Sequence, residues 1–366
     1  MNQLEKARQT IDSIDEQIAQ LYEQRMDAVE QVLNYKKENH LPILDASREE
    51  KVIAHGVQRI KNEKYKGVYR DFLKGMMRNS RMYQQSLLSN DVIAYCGVKG
   101  AFTHLATQRL FPGSPTLNYK SFDDVFQAVV TRKAHYGVLP FENNNSGLVG
   151  EVLDGLLEYP VYIRKMSHQK IEQCLLGVPG ASLKDIEYVY SKDQALMQSK
   201  EFLHQLNVHT IAYPNTAMAA QYVAEQGDIH KAAVGAKENA ELYGLEVLAT
   251  QIEPNSENTT RFLVIGLEPA KQGDHFSIIF ATKHISGALA KVIEVIAKYG
   301  LNMDSIQSRP RKDQMFEYFF YIEFDSPLYT DNTQACLAEI KKICESFKVL
   351  GTYPMDISDG YIGGRK

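Results

Sequence analysis

Apolar residues recur at helical or heptad spacing through the first part of the chain: Leu4, Ala7, Ile11, Ile14, Ile18, Leu21, Ala28 and Val32. No Gly or Pro interrupts the run before Pro42. The spacing predicts one helix on the order of 50 Å long, too long to bury its stripe within a helical domain of residues 1–89. A second helix is predicted from Asp45–Ser47, where Ser47 and Glu50 fit a capping box, and a third from Val68 to Leu88. Beyond Asp91 short apolar runs alternate with helical patterns, as at Val92–Cys96, Tyr136–Pro140, Tyr188–Tyr190, Ala232–Gly235 and Arg261–Gly266. That texture is α/β. The polar stretch Pro269–Asp274 reads as a linker, and residues 275–354 follow a βαββαβ pattern.

Composition narrows the setting. With 44% hydrophobic and 23% charged residues and a net charge of −4, the 366-residue chain is ordinary for a globular protein. It carries no strong field for nucleic acid or membrane. Cys96, Cys174, Cys336 and Cys344 are scattered with no CxxC pair, which argues against a zinc ribbon or disulfide scaffold and for the cytoplasm. The start lacks the features of a signal peptide, and no stretch approaches a membrane span.

Polar residues interrupt the helical pattern where core is expected. Arg25 falls on the seam of Leu21 and Ala28, and Lys36 follows eleven residues later on the same side. In the third helix Ser80 and Gln84 break a face of Phe72, Leu73, Met76, Met77, Tyr83, Leu87 and Leu88. Burying such groups costs several kcal/mol unless they find partners. They form either a self-satisfied network, or an outward-turned face, or a binding site. Arg8 lies roughly 25 Å from Arg25 along one helix, so the two can share a small ligand only if two copies of the helix run antiparallel. Together Arg8, Arg25, Lys36, Asp45, Arg48, Glu49, Ser80 and Gln84 resemble the active-site pattern of the all-helical chorismate mutase family over nearly all of 1–89. The resemblance implies an intertwined helical dimer in which Arg8 of a second copy and Arg25 hold substrate carboxylates. Lys36 and Gln84 would donate to the ether oxygen and Glu49 would accept from the ring hydroxyl, with Arg48 and Asp45 lining and orienting.

In the α/β segment, Gly97–Gly100 forms a strand-to-helix turn of the sort that can present amides to an anion. Neither the dinucleotide fingerprint GxGxxG nor a Walker motif is present. Pro140–Gly147 ends a strand in dense polar side chains, and Asn258–Phe262 opens another strand. By themselves such loops read as solvated turns. Their order resembles the prephenate dehydratase family over 91–267, with Thr260-Arg261-Phe262 the most specific match. Lys192 and Asp193 stand where that family usually has His and Pro. The resemblance implies two α/β lobes, periplasmic-binding-protein-like, joined by crossing strands with the site in the cleft. Thr260 would assist departure of the ring hydroxyl. Asn143, Ser191, Gln194 and Arg261 would bind and orient the substrate, and Phe262 would pack nearby.

Residues 275–354 resemble the ACT regulatory domain that follows prephenate dehydratases, through Gly287, Ala288 and Leu289, then Asn302, then Gln307, Ser308, Arg309 and Pro310. Gln307 replaces a Glu and Ala290 a Val of that family. The resemblance implies phenylalanine as an allosteric inhibitor. The expectation is therefore a multidomain enzyme with modules at 1–89, 91–267 and 275–354, acting on chorismate and prephenate. It would need no cofactor or metal and form a homodimer or homotetramer. A fused NAD-dependent dehydrogenase is disfavoured by the missing fingerprint. A non-catalytic amino-acid sensor is the alternative from another class.

Overall fold

A computed structural model describes residues 2–39, 41, 44–88, 91–254, 258–311 and 318–356. Contacts divide the chain into a helical unit, Met1–Asn90, and an α/β unit holding nearly all the rest. The helical unit comprises α1 (Gln3–Glu38), α2 (Ala46–Gln58) and α3 (Glu63–Leu88). Asn2 and Glu5 close a capping box on α1. Helix α2 is capped by Asp45, whose carboxylate accepts from the Arg48 amide at 2.9 Å, so Ser47 already lies inside the helix and the expected Ser47–Glu50 box is not formed. Helix α3 starts five residues before Val68, at Glu63, where Asn62 Oδ1 accepts from the Lys64 amide at 3.1 Å; the polar first turn has no apolar period to reveal it. Leu33, Val57, Leu73 and Met77 are buried where the three helices meet. By contrast, Leu4, Ile11, Ile14, Ile18 and Leu21 are each about half exposed or more, so the long stripe of α1 is uncovered in a single chain.

The α/β unit opens with β1 (Ile93–Cys96), α4 (Phe102–Leu110), β2 (Thr116–Tyr119), α5 (Phe122–Val130), β3 (Tyr136–Asn143), β4 (Gly147–Leu148), α6 (Gly150–Glu158) and β5 (Tyr162–Lys170). A second lobe follows: β6 (Cys174–Gly177), β7 (Tyr188–Ser191), α7 (Asp193–Gln198), α8 (Lys200–Leu206), β8 (His209–Ala212), α9 (Thr216–Gln226), β9 (Lys231–Gly235), α10 (Glu238–Tyr243) and β10 (Glu246–Ala249). Strand β11 (Thr259–Gly266) then returns to the first lobe, between β3 and β5. The second lobe's sheet runs β10-β6-β9-β7-β8. Two crossings join the lobes and bond to each other, Ile171 N to Asn258 O at 2.8 Å and Ile252 N to Gln173 O at 3.1 Å.

The C-terminal module is β12 (His275–Ala281), α11 (Ala288–Lys298), β13 (Met303–Pro310), β14 (Tyr318–Phe324), α12 (Asp331–Ile343) and β15 (Ser346–Tyr353), with β16 (Met355–Asp356) pairing β5 of the first lobe. Its sheet order β13-β14-β12-β15 is that of the expected βαββαβ unit. Every residue of β12 is buried, which explains why it is apolar on both faces apart from His275 and Ser277, the latter bonded to the Tyr321 hydroxyl. Phe276, Ile278 and Phe280 pack beneath α11 and α12, whereas Ile279, Phe319, Tyr321, Leu350 and Tyr353 join the core of the first lobe with Phe141 and Ile163. The polar stretch 269–274 thus connects modules that share one hydrophobic core.

Candidate active sites

In the helical unit a cavity of about 170 Å³ is lined by Arg25, Lys36, Asp45, Arg48, Glu49, Ser80 and Gln84, together with Val29, Val52, Met77 and Arg81. Seven of the eight residues singled out in the sequence of this unit are brought together here. Helical period explains why: Arg25 and Lys36 lie on one face of α1, and Ser80 and Gln84 on one face of α3. Ser80 and Gln84 are both buried, and each has partners. Arg25 Nη1 donates to Ser80 Oγ at 2.6 Å, Ser80 Oγ donates to Met76 O at 2.8 Å, and Gln84 Nε2 donates to Val29 O at 3.3 Å. Arg8, near the exposed start of α1, is not among the lining residues. Arg81 was not legible in advance. Its guanidinium grips both oxygens of Glu49, a partner 32 residues away that no local period marks.

Between the lobes of the α/β unit lies a cleft of about 490 Å³. Asn143 at the end of β3 organises one wall. Its Nδ2 donates to Asn258 Oδ1 at 2.8 Å and to Thr260 Oγ1 at 2.9 Å, while its Oδ1 accepts from the amides of Asn145 and Ser146. Thr260 therefore accepts from Asn143 and keeps its own hydroxyl hydrogen to donate. Thr260 and Phe262 both line the cleft, as alternate residues of one strand should. Gln194, Lys192, Asn215 and Gln173 line it from the crossing strand and the second lobe. Gln173 is 3% exposed, and its Oε1 has no partner among the described residues. Behind this wall Glu253 accepts from the Gln173 amide at 3.1 Å and from Asn258 Nδ2 at 3.0 Å. Burial raises the Glu253 pKa against these two hydrogen bonds.

Lys192 and the Glu151 carboxylate balance among the charged lining side chains, so positive character in the cleft comes from helix ends. First-turn residues of α4 (Phe102, Thr103), α6 (Gly150, Glu151) and α9 (Thr216) lie on its surface, so three positive helix ends converge. Val149 at the start of α6 supplies no side-chain cap. Lys192 is the one cationic side chain among the described lining residues.

Three expectations meet a different arrangement. Arg261 points away from the cleft, because it alternates with Thr260 and Phe262 on β11. Its Nη2 lies 2.6 Å from both oxygens of Glu323 on β14, and its Nη1 lies 3.1 Å from Glu142. Burial alone would lower the guanidinium pKa; the Glu323 carboxylate more than offsets this and keeps Arg261 charged. Ser191 is fully buried and donates to Val234 O at 2.7 Å, tying β7 to β9 and not facing the cleft. Both glycine amides of the Gly97–Gly100 turn are used internally: Gly97 N bonds Tyr119 O and Gly100 N bonds His104 Nδ1.

In the C-terminal module a pocket of about 440 Å³ is lined by Ala288, Leu289 and Ser308, with His284, Tyr318 and Phe320 among its other walls. Gly287 begins α11 at φ +79°, a left-handed conformation suited to glycine. Gly287, Asn302, Gln307, Arg309 and Pro310 do not line this pocket. Arg309 alternates with Ser308 on β13 and reaches Asp154 of α6 instead, with Nη2–Oδ2 at 2.8 Å and a second bond from Nε.

A chorismate mutase type II family model matches residues 7–85, and a prephenate dehydratase family model matches residues 93–270. The C-terminal module lies beyond both spans. The bifunctional chorismate mutase/prephenate dehydratase of Aquifex aeolicus (strain VF5) is 34% identical over 360 residues, covering 97% of this chain and 98% of its own. Among solved structures, prephenate dehydratase from Staphylococcus aureus subsp. aureus Mu50 is 27% identical with a TM-score of 0.64, covering 71% of this chain and 99% of that one. GqqA, described as a novel type of quorum quenching acylase, is 29% identical with a TM-score of 0.68, covering 73% and 98%.

Proposed function

The chain belongs to the bifunctional chorismate mutase/prephenate dehydratase family, and from that premise we propose how its two cavities divide the work. The helical unit rearranges chorismate to prephenate, and the cleft converts prephenate to phenylpyruvate. The α/β fold alone does not select the second activity, since a dehydratase and an acylase both resemble it. What carries the reading is the mutase set gathered in one cavity of the same chain, with similarity to a bifunctional relative along 97% of its length.

The first reaction is a unimolecular pericyclic step. It needs no nucleophile, only a compact conformer held in place and donors at the ether oxygen as the C–O bond breaks. Arg25 and Arg48 are the carboxylate partners available within one chain, and Lys36 and Gln84 are the ether-oxygen donors. Arg81 holds Glu49 for the ring hydroxyl. Arg8 enters from a second copy, whose α1 would cover the exposed stripe at Leu4, Ile11, Ile14 and Ile18. A homodimer, or a tetramer built from it, follows.

In the second reaction the ring C–O bond and the bond to the ring carboxylate both break. Carbon dioxide leaves, its bonding electrons complete the aromatic ring, and hydroxide departs with a proton as water. Thr260, oriented by Asn143, donates to that departing oxygen. Lys192 and the helix ends of α4, α6 and α9 receive the carboxylates, and Gln194 and Gln173 orient the ring. Arg261 and Ser191 support this wall from behind. The C-terminal module acts as an ACT-type sensor in which phenylalanine occupies the pocket at Ala288, Leu289 and Ser308 and inhibits dehydration. Incubating the purified protein with chorismate, while following prephenate and phenylpyruvate separately, tests both catalytic assignments, and repeating it with added phenylalanine tests the sensor. Accumulation of prephenate without phenylpyruvate would remove the cleft's role.

A further inference from the structure

Helix α6 is held by the C-terminal module at two points while its first turn lines the cleft. From β13, Arg309 makes two bonds to the Asp154 carboxylate, one of them at 2.8 Å. From β15, Lys348 Nζ donates to Leu156 O at 2.6 Å and Tyr159 O at 2.5 Å, carbonyls of the last turn and of the residue that ends the helix. A cation there satisfies orphan carbonyls and complements the negative end of the helix. At the other end, Val149, Gly150 and Glu151 line the cleft, and no side chain caps the first turn. The contact with the module is close: a Cβ added at Gly150 would fall on the Arg309 guanidinium. A helix of nine residues packed in this way moves as a rigid rod. Its pitch, and so the direction of its free amides, depends on Arg309 and Lys348.

We propose that Arg309 and Lys348 are positioning residues for dehydration, acting through α6 to aim its N-terminal amides at a carboxylate of prephenate. Neither lines the cleft. The C-terminal module is thereby part of the catalytic scaffold, and a ligand that shifts β13 alters substrate binding through Asp154. This rests on the cleft being the dehydratase site.

The test is steady-state kinetics of the full chain, with mutase turnover measured on the same preparations. The side-chain carboxylate that survives in phenylpyruvate is present in the ground state and the transition state alike, so loosening its amides weakens both. Lys348→Met, Arg309→Met and the milder Asp154→Asn are each expected to raise KM for prephenate about fivefold, with kcat within twofold and mutase turnover unchanged. A merely structural role would reduce the amount of folded enzyme and lower apparent kcat at constant KM. Lys348→Arg should restore KM. Because Arg309 and Lys348 act on one helix, the double variant should raise KM by less than the product of the single effects. KM within twofold of wild type in Asp154→Asn and Lys348→Met, both folded by circular dichroism, overturns the proposal. Failure of the underlying site is distinguishable: Thr260→Val would then leave dehydration intact.

Discussion

The buried pair Arg261–Glu323 offers a perturbation whose size follows from its surroundings. Glu323 is 2% exposed, and both its oxygens lie 2.6 Å from Arg261 Nη2. It also accepts from Tyr321 Oη at 2.9 Å and Tyr353 Oη at 3.3 Å. The replacement Glu323→Gln keeps the volume but removes the charge and turns an amide NH₂ toward a guanidinium or a phenol. Breaking a buried pair costs roughly 3–5 kcal/mol because a charge is left uncompensated. Arg261 retains Glu142, which is partly exposed and 3.1 Å away, so the lower end applies: about 3 kcal/mol. For a unit of about 270 residues that corresponds to a melting midpoint lower by roughly 5 °C. The assay is differential scanning calorimetry of the full chain, following the α/β transition, with urea titration as the second measure. A midpoint within about 2 °C of wild type would refute the view that Arg261 depends on Glu323. Replacing both partners, Arg261→Met with Glu323→Met, should recover most of the lost stability, since no charge is stranded. If the double variant is destabilised by the sum of the single effects, the reasoning from an uncompensated charge is wrong. Dehydration by the double variant also separates a supporting Arg261 from a substrate-binding one: the orientation of β11 predicts KM within about threefold of wild type, well short of the loss expected when a substrate contact is removed.

Removing the Thr260 hydroxyl with Thr260→Val should lower kcat for prephenate about a hundredfold, with KM little changed, as for a donor acting on charge that develops in the transition state; a rise in KM alone would make Thr260 a binding residue. Lys192→Met should raise KM for prephenate about tenfold and flatten its dependence on salt, whereas Lys192→Arg should not; equal kinetics in the Met variant would leave the helix ends as the anion site. Mixing inactive Arg8→Ala and Arg25→Ala chains should restore part of the mutase activity, because half the sites in a mixed dimer then hold both arginines. No recovery in verified heterodimers would exclude shared sites. Burial lowers the Lys348 pKa from its ordinary 10.5 to about 8. The unfolded chain therefore binds the extra proton between those values, so this lysine's contribution to unfolding free energy should rise with pH across that window, by on the order of 1 kcal/mol for a partly exposed group; the cysteine thiols, whose pKa values burial raises, oppose it in wild type and variant alike, so urea titrations at pH 7.5 and 9.5 should show wild type gaining by that amount relative to Lys348→Met.

The sequence by itself determined the parts of this protein that repeat with a local period. Arg25 and Lys36, or Ser80 and Gln84, sit whole turns apart on one helix, and their polarity against an apolar face marks a site wherever the partner helices lie. Thr260 and Phe262 share a strand face for the same reason. The βαββαβ order of the last module also follows from alternation and turns. Capping blurred the boundaries: Asp45 reached the α2 amides before Ser47 could. Tertiary structure alone decided which side of β11 meets the cleft, turning Arg261 from an expected substrate ligand into a buried anchor for Glu323, 62 residues away. It likewise placed Arg309 on Asp154 and Lys348 at the end of α6, 155 and 192 residues apart in sequence, and merged two expected domains into one core. Charge pairs at such separations leave no periodic trace, because either partner alone looks like a surface residue until folding excludes water around both.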